Sequence, residues 1–229
     1  MSVPFLLTPA QMRRIQPYFP RSHGIPRVDD RRVLSGIVFV IQGGLRWRDA
    51  PPGYGPHKTL YNRFVRWSRM GVFSRIFAAL AGEAGEPDRL IIDSTHLKAH
   101  RTAASLLKRG PPGRCIGRTK GGLNSKLHAV CDGQGRLIVM MLSEGQMNDQ
   151  KGANILAPVL PKARELIADR GYDSNPFRTA LAERGIAACI PPKKNRKQPI
   201  PYDKALYRLR HRIEIAFGRP KDWRRIAIR

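Results

Sequence analysis

The chain has 229 residues, enough for one sizeable domain and a smaller one. Lys and Arg number 42 against 17 Asp and Glu, a formal charge of +25 that works against compaction by self-repulsion and points to a polyanionic partner. Aromatic residues at 7% argue against stacking on single strands as the main mode of binding, and Cys115, Cys131 and Cys189, scattered without paired spacing, argue against a zinc site or a secreted disulfide scaffold.

Residues 1–86 read as mostly helical. Thr8 caps a short helix beginning at Pro9. Asp29 to Gln42 is periodically apolar through Val33, Ile37, Val40 and Ile41, and Gly43-Gly44 stops it. The Pro-Gly segment 51–56 is a loop. A second helix spans about Lys58 to Met70, with Leu60, Phe64 and Trp67 on one side and Asn62, Arg63, Arg66 and Arg69 elsewhere; Gly71 ends it, and Val72 to Ala81 forms a third. Helix, loop and basic helix resemble a helix-turn-helix DNA reader. A plain helical bundle with solvated arginines explains the same pattern.

The polar stretch Gly82 to Asp88 marks a domain boundary, so residues 87–229 form the second domain. Arg89 to Asp93 is a short buried strand. Lys126–Cys131 and Arg136–Leu142 are two strands joined by the turn Asp132-Gly133-Gln134-Gly135. Asp149 to Val159 is helical, and Glu165 to Asp169 is another strand. Asn175 caps a helix that runs to Glu183, and Ile186 to Ile190 is the last strand. This alternation implies an α/β domain: a mixed sheet with helices on its faces. Two stretches carry the charge. Residues 98–126 hold eight Lys or Arg and no acid, and residues 192–229 hold thirteen against Asp203, Glu214 and Asp222. Both are candidate phosphate tracks. No apolar run reaches the roughly 20 residues of a membrane span, and the first residues lack a signal-peptide pattern, so a cytoplasmic location is expected.

Three carboxylates carry the chemistry. Asp93 and Asp169 each stand at the end of an apolar strand, where a charge costs desolvation unless it is paired or binds a metal. If the strands are neighbours the two acids face each other and demand a cation, and hard oxygen ligands select Mg²⁺ or Mn²⁺. Glu214 lies on a helix with Tyr207, Arg210 and Lys221 at offsets that place all four on one face, beside an apolar face of Leu206, Leu209, Ile213 and Phe217. His96 and His100 lack a third ligand spaced for zinc. There is no Walker loop, and Ser, His and Cys show no nucleophile pattern.

These residues resemble the bacterial insertion-sequence transposases of the DDE type, the IS-five group of the IS-four-like superfamily. The match is carried by Ile92-Asp93-Ser94-Thr95, the run Gly117 to Lys126, Ala168-Asp169-Arg170-Gly171-Tyr172, and His211 to Ala227 with its tyrosine, arginine, glutamate and lysine signature. Gly44 to Arg48 and Leu60 to Phe64 are similar to the family's N-terminal region. The resemblance implies a ribonuclease-H-like core and an N-terminal DNA-binding region. It implies cleavage at element ends and transfer of the 3′-hydroxyl into double-stranded target DNA, with Asp93, Asp169 and Glu214 catalytic and holding Mg²⁺ (Mn²⁺ as substitute). Tyr207, Arg210 and Lys221 would bind DNA phosphates, as would Lys120 and Lys126 in the basic run, and Trp223 would stack on a displaced base. A homo-oligomer on DNA and a nucleoid association follow. Two departures are expected to matter. Pro220 replaces an apolar helix former and would kink the helix between Glu214 and Lys221, at about 3 kcal/mol in a helix interior. The chain also stops soon after the signature, so a C-terminally shortened, inactive remnant that only binds DNA is the alternative.

Overall fold

The computed structural model describes residues 4–20, 29–100 and 115–228. Most of the first basic stretch, residues 101–114, lies outside them. The described chain divides into two compact units: Met1–Leu80 with Asp222–Ile226, and Ala81–Lys221 with the last three residues.

The first unit is helical: α1 (Pro9–Ile15), α2 (Asp30–Gly43), α3 (His57–Arg69) and α4 (Val72–Gly82). Thr8 accepts from Gln11 N at 3.1 Å while the Gln11 side chain accepts from Thr8 N at 2.8 Å, a reciprocal capping box. Asp29 caps α2, and Gly44 closes it at φ +69, a left-handed position that a side chain would strain. Val33, Ile37, Leu60, Trp67 and Val72 form the core, with Phe19 edge-on to Trp67 at 4.6 Å. Arg63 is drawn into this architecture: it pairs with Asp30 at 2.9 Å and lies over Trp67. Asn62, Arg66 and Arg69 stay exposed on α3. Arg225, from the C-terminal segment that belongs to this unit, donates to Leu45 O and stands 5.5 Å from the Trp47 ring centroid.

The second unit is the expected ribonuclease-H-like mixed sheet. Its strands are β1 (Arg89–Lys98), β2 (Gly117–Thr119), β3 (Gly122–Asp132), β4 (Leu137–Glu144), β5 (Glu165–Ile167) and β6 (Ala187–Cys189). β4, β3 and β1 are antiparallel neighbours, β2 adds to β3, and β5 and β6 run parallel beyond β1. Helices α5 (Asp149–Leu156) and α6 (Asn175–Glu183) bury Ala153, Leu156, Phe177 and Leu181 against Leu90, Ile92 and Val130. Gly152 lets α5 approach, since a Cβ there would stand 2.4 Å from the buried His128 ring. The C-terminal run comprises α7 (Lys204–Tyr207), a 3₁₀ turn (Arg208–Arg210) and α8 (His211–Lys221), which packs on β1 and β3.

Four sequence expectations change. The strand holding Asp93 does not end there but continues to Lys98, because the antiparallel ladder with β3 runs on from Asp93↔Ala129 to Lys98↔Asn124. The polar run Ser94 to His96 carries no apolar strand pattern, yet each of its side chains finds a partner on one face or the other. The helix expected to carry Tyr207 through Lys221 is interrupted by the 3₁₀ turn, with 3.0 residues per turn instead of 3.6, which rotates Tyr207 relative to Glu214. Ser174, not Asn175, caps α6. Pro220 does not break the helix between Glu214 and Lys221. It sits in the last turn of α8, where it forfeits its own N–H bond but only Lys221 follows it in the helix.

Candidate active site

β1 sorts the site by its period of two. Asp93 and Thr95 meet groups from α8 and the preceding 3₁₀ turn, whereas Ser94 and His96 meet α5 and the loop before it. Asp93 accepts from Arg210 Nη1 at 2.7 Å and from its neighbour Ser94 N at 2.7 Å. Thr95 accepts from the Lys221 ammonium. On the other side, Ser94 donates to Asp149 at 2.6 Å, and His96 Nε2 lies 3.1 Å from Gly145 O.

Asp169 stands two residues past the point where β5 pairs with β1. The register Ile91↔Ile167, carried two residues further, brings Asp169 alongside Asp93. Its carboxylate also accepts from Gly171 N at 2.8 Å, capping the turn Arg170–Tyr172. Glu214 accepts from the second arm of Arg210. One guanidinium therefore spans Asp93 and Glu214, a charge-assisted fork that fixes the spacing of two acids. Burial pushes the Asp93 carboxyl up to about 6. The Ser94 amide and Arg210 work the other way, and Asp169 and Asp149 add repulsion. Burial works against the Arg210 charge, but Asp93 and then Glu214 outweigh it and hold its pKa above the ordinary value.

The structure thus brings Asp93, Asp169, Tyr207, Arg210, Glu214 and Lys221 to one region. Tyr207 is half-buried, T-shaped against Tyr202 at 5.6 Å, and burial raises its phenol. The three acids do not form a finished cage. Among the described residues no group of three or more His, Cys, Asp or Glu side chains is arranged to hold a metal ion. Glu214 is bound to Arg210, which supplies the positive charge between the acids. The donor set still suits a hard divalent cation: three carboxylates, one of them half-buried and carrying a raised pKa that a neighbouring cation would relieve.

One expected DNA contact is taken up internally. Lys126 is buried, its ammonium donating to Met147 O and Asp149, both at 2.9 Å; as an internal partner it cannot also serve as a phosphate contact. Trp223 belongs to the N-terminal unit. Lys120 is exposed in the β2–β3 turn. Sequence reasoning missed Asp149. Burial raises its carboxyl, but the hydrogen bonds from Ser94 and Lys126 outweigh that and hold it below the ordinary range. An acid in the first turn of a helix is so common that nothing in the sequence singled it out.

A mixed sheet carrying two facing aspartates, with a glutamate delivered by a flanking helix, defines an acidic-centre α/β domain of the ribonuclease-H-like kind. The chain belongs to the DDE transposases of insertion sequences: residues 84–229 match the family described as "Transposase DDE domain", and residues 7–77 match "Putative transposase of IS4/5 family". An "Uncharacterized protein y4sN" of Sinorhizobium fredii is 36% identical over 97 residues, covering 41% of this chain and 77% of that one. A "Putative transposase for insertion sequence element IS6501" of Brucella ovis is 34% identical over 108 residues, 47% of this chain and 83% of that one. A similarly named IS402 protein of Burkholderia cepacia is 32% identical over 139 residues, and the match spans only 60% of its length. Among solved structures, a piggyBac transposase synaptic complex with hairpin DNA aligns with TM-score 0.42 at 13% identity, over 82% of this chain and 48% of that one. Among the described residues no helix is long and apolar enough to cross a membrane.

Proposed function

We propose that this chain is a divalent-metal-dependent DNA transposase that cleaves at the ends of its insertion sequence and transfers the freed 3′-hydroxyl into double-stranded target DNA. The observation that carries the reading is the Arg210 fork between Asp93 and Glu214, with Asp169 one strand away. Carboxylates gathered on elements that meet at one end of a sheet repel one another unless a cation lies between them.

Asp93, Asp169 and Glu214 would hold magnesium, with manganese as substitute. When bound, the metal supplies Lewis acidity and a more acidic water for in-line displacement at a phosphodiester. Arg210, already charged and anchored, turns towards a phosphate without needing a proton. Tyr207 and Lys221 flank it and contact phosphates on either side of the scissile bond. Lys120 extends the contact along the strand, and Trp223 stacks on a displaced base. Residues 1–86 serve as the DNA-binding region, in which α3 presents Asn62, Arg66 and Arg69 to a groove, and residues 87–229 serve as the catalytic domain. Joining two element ends requires two copies of the chain on DNA. The net charge of +25 suits such a partner, and a nucleoid location goes with this reading.

Nicking of supercoiled DNA carrying the element's own ends tests this reading. Wild type nicks only with a divalent ion. Asp93→Asn loses more than about 100-fold, beyond the range for outer-shell partners of a metal, and binds DNA at least as well as wild type. Equal nicking by wild type and Asp93→Asn would overturn the proposal.

A further inference from the structure

A second polar feature lies next to the carboxylates in the same unit and is not used by them. It is an open cavity of 610 Å³ lined by Gln150, Ser174, Lys193, Asn195, Arg196 and Lys197, among others. Gln150 ties it to the acidic centre, since its side chain donates to Gly171 O at 3.3 Å and Gly171 N in turn donates to Asp169 at 2.8 Å.

The cationic wall is built, not loosely draped. Asp173, with its side chain only 1% exposed, anchors it: the carboxylate accepts from Arg196 Nε and Nη2 at 2.8 and 2.9 Å and from Lys193 N at 2.8 Å. Arg178 holds Asp173 from α6 at 2.8 Å. The loop after β6 is therefore pinned at two points. Lys193 is pinned through its backbone, so its ammonium is left for other work. Neither the Lys193 nor the Lys197 ammonium has a hydrogen bond or ion pair among the described residues. Asp173 is the one acid in the wall and is already neutralised by two arginines. What remains is two unspent cations on a fixed loop, flanked by the amides of Gln150, Asn195 and Gln198. Amides and ammonium groups at the mouth of an open, polar cavity suit a sugar–phosphate chain and not an apolar small molecule.

We infer that this cavity is a phosphate-binding track for the DNA strand that passes Asp169, with Lys193 and Lys197 as its two phosphate contacts. The inference rests on the functional reading above and adds to it the part of the surface that grips DNA beside the acidic centre. It also gives the Asp173 network a purpose, because that network aims the loop.

The test measures binding of the full chain to a short duplex by fluorescence anisotropy across a salt series. Lys193→Gln, Lys197→Gln and the double variant are compared with Lys162→Gln, a charge-matched change at the opposite end of β5 from Asp169. The Asp173 contact of residue 193 is made by backbone N–H, so glutamine preserves it, and unchanged thermal unfolding confirms a folded variant. Each phosphate contact contributes about 0.9 to the slope of log K against log salt. The double variant is expected to be shallower than wild type by about 1.8 and to bind at least about tenfold more weakly at low salt, with Lys162→Gln close to wild type. A double variant whose slope matches that of Lys162→Gln overturns the track while leaving the transposase reading intact. A wild-type chain whose DNA binding is weak and independent of salt overturns both.

Discussion

Replacing Asp173 by alanine costs the carboxylate-bearing unit about 3–5 kcal/mol of stability, the range for removing one partner from a buried ion-pair network. The side chain is 1% exposed and accepts from Arg178, Arg196 and Lys193 N. Without it two guanidinium groups, 13% and 17% exposed, are left facing each other without a countercharge. Burial alone would raise the Asp173 carboxyl, but Arg196, the Lys193 amide and Arg178 outweigh it and hold the group well below the ordinary carboxylate range. The sign follows from linkage. Above the ordinary carboxylate value both folded and unfolded states are ionised, and the network contributes in full. Below that value the unfolded chain binds a proton that the folded one refuses, so the contribution fades as pH falls. Urea unfolding of wild type and Asp173→Ala at neutral and acid pH is expected to show a gap that narrows on acidification. A variant within about 1 kcal/mol of wild type at neutral pH contradicts the network's role.

Arg210→Gln has the second large effect, a loss of about 1–3 kcal/mol in metal-free buffer. The bound is lower than for Asp173 for two reasons. Glu214 is 55% exposed, so water screens most of its share. Asp93, 16% exposed, can escape by protonation, because its carboxyl is already raised to about 6. A raised carboxylate pKa makes the folded state the better proton binder between the ordinary value and about 6, so wild-type stability falls as pH rises through that window. Removing Arg210 takes away a lowering influence and extends the decline towards neutral pH. Asp93→Asn abolishes the decline and is more stable than wild type at neutral pH without metal. Differential scanning calorimetry of the three proteins from pH 4 to 8, with and without magnesium, reads all of this. Magnesium is expected to raise the melting temperature of Arg210→Gln more than that of wild type, since it replaces the missing countercharge. Identical shifts contradict that assignment.

What the sequence shows of this fold follows local rules. The Thr8 cap, the Gly44 stop and the Asp132–Gly135 hairpin turn are each decided within a few residues, and the structure has them where the sequence places them. Non-local balances are not legible. Whether β1 stops at Asp93 depends on partners in β3 that lie 26 to 34 residues away in sequence. Lys126 looks like one more cation in a basic run, yet its environment, set by Asp149 and Met147 O, makes it internal. The same limit hid Asp149, whose partners Ser94 and Lys126 come from β1 and β3. Asp169 is doubly readable: as a turn cap, which it is, and as a candidate ligand, which only its register against Asp93 suggests. The even helical spacing of Tyr207, Arg210, Glu214 and Lys221 is broken by the intervening 3₁₀ turn, yet the i,i+4 pair Arg210–Glu214 survives it.

The most direct measurement is isothermal titration of the full chain with Mn²⁺ at neutral pH, repeated for Asp93→Asn, Asp169→Asn and Glu214→Gln. If the three acids form one cation site, wild type binds at that site and each single carboxamide weakens binding by at least about tenfold, the lower range for a metal site's supporting groups, while all three variants remain folded. Binding by the three variants that matches wild type would mean that the acids serve Arg210 alone, and the account of a metal-dependent centre would be wrong.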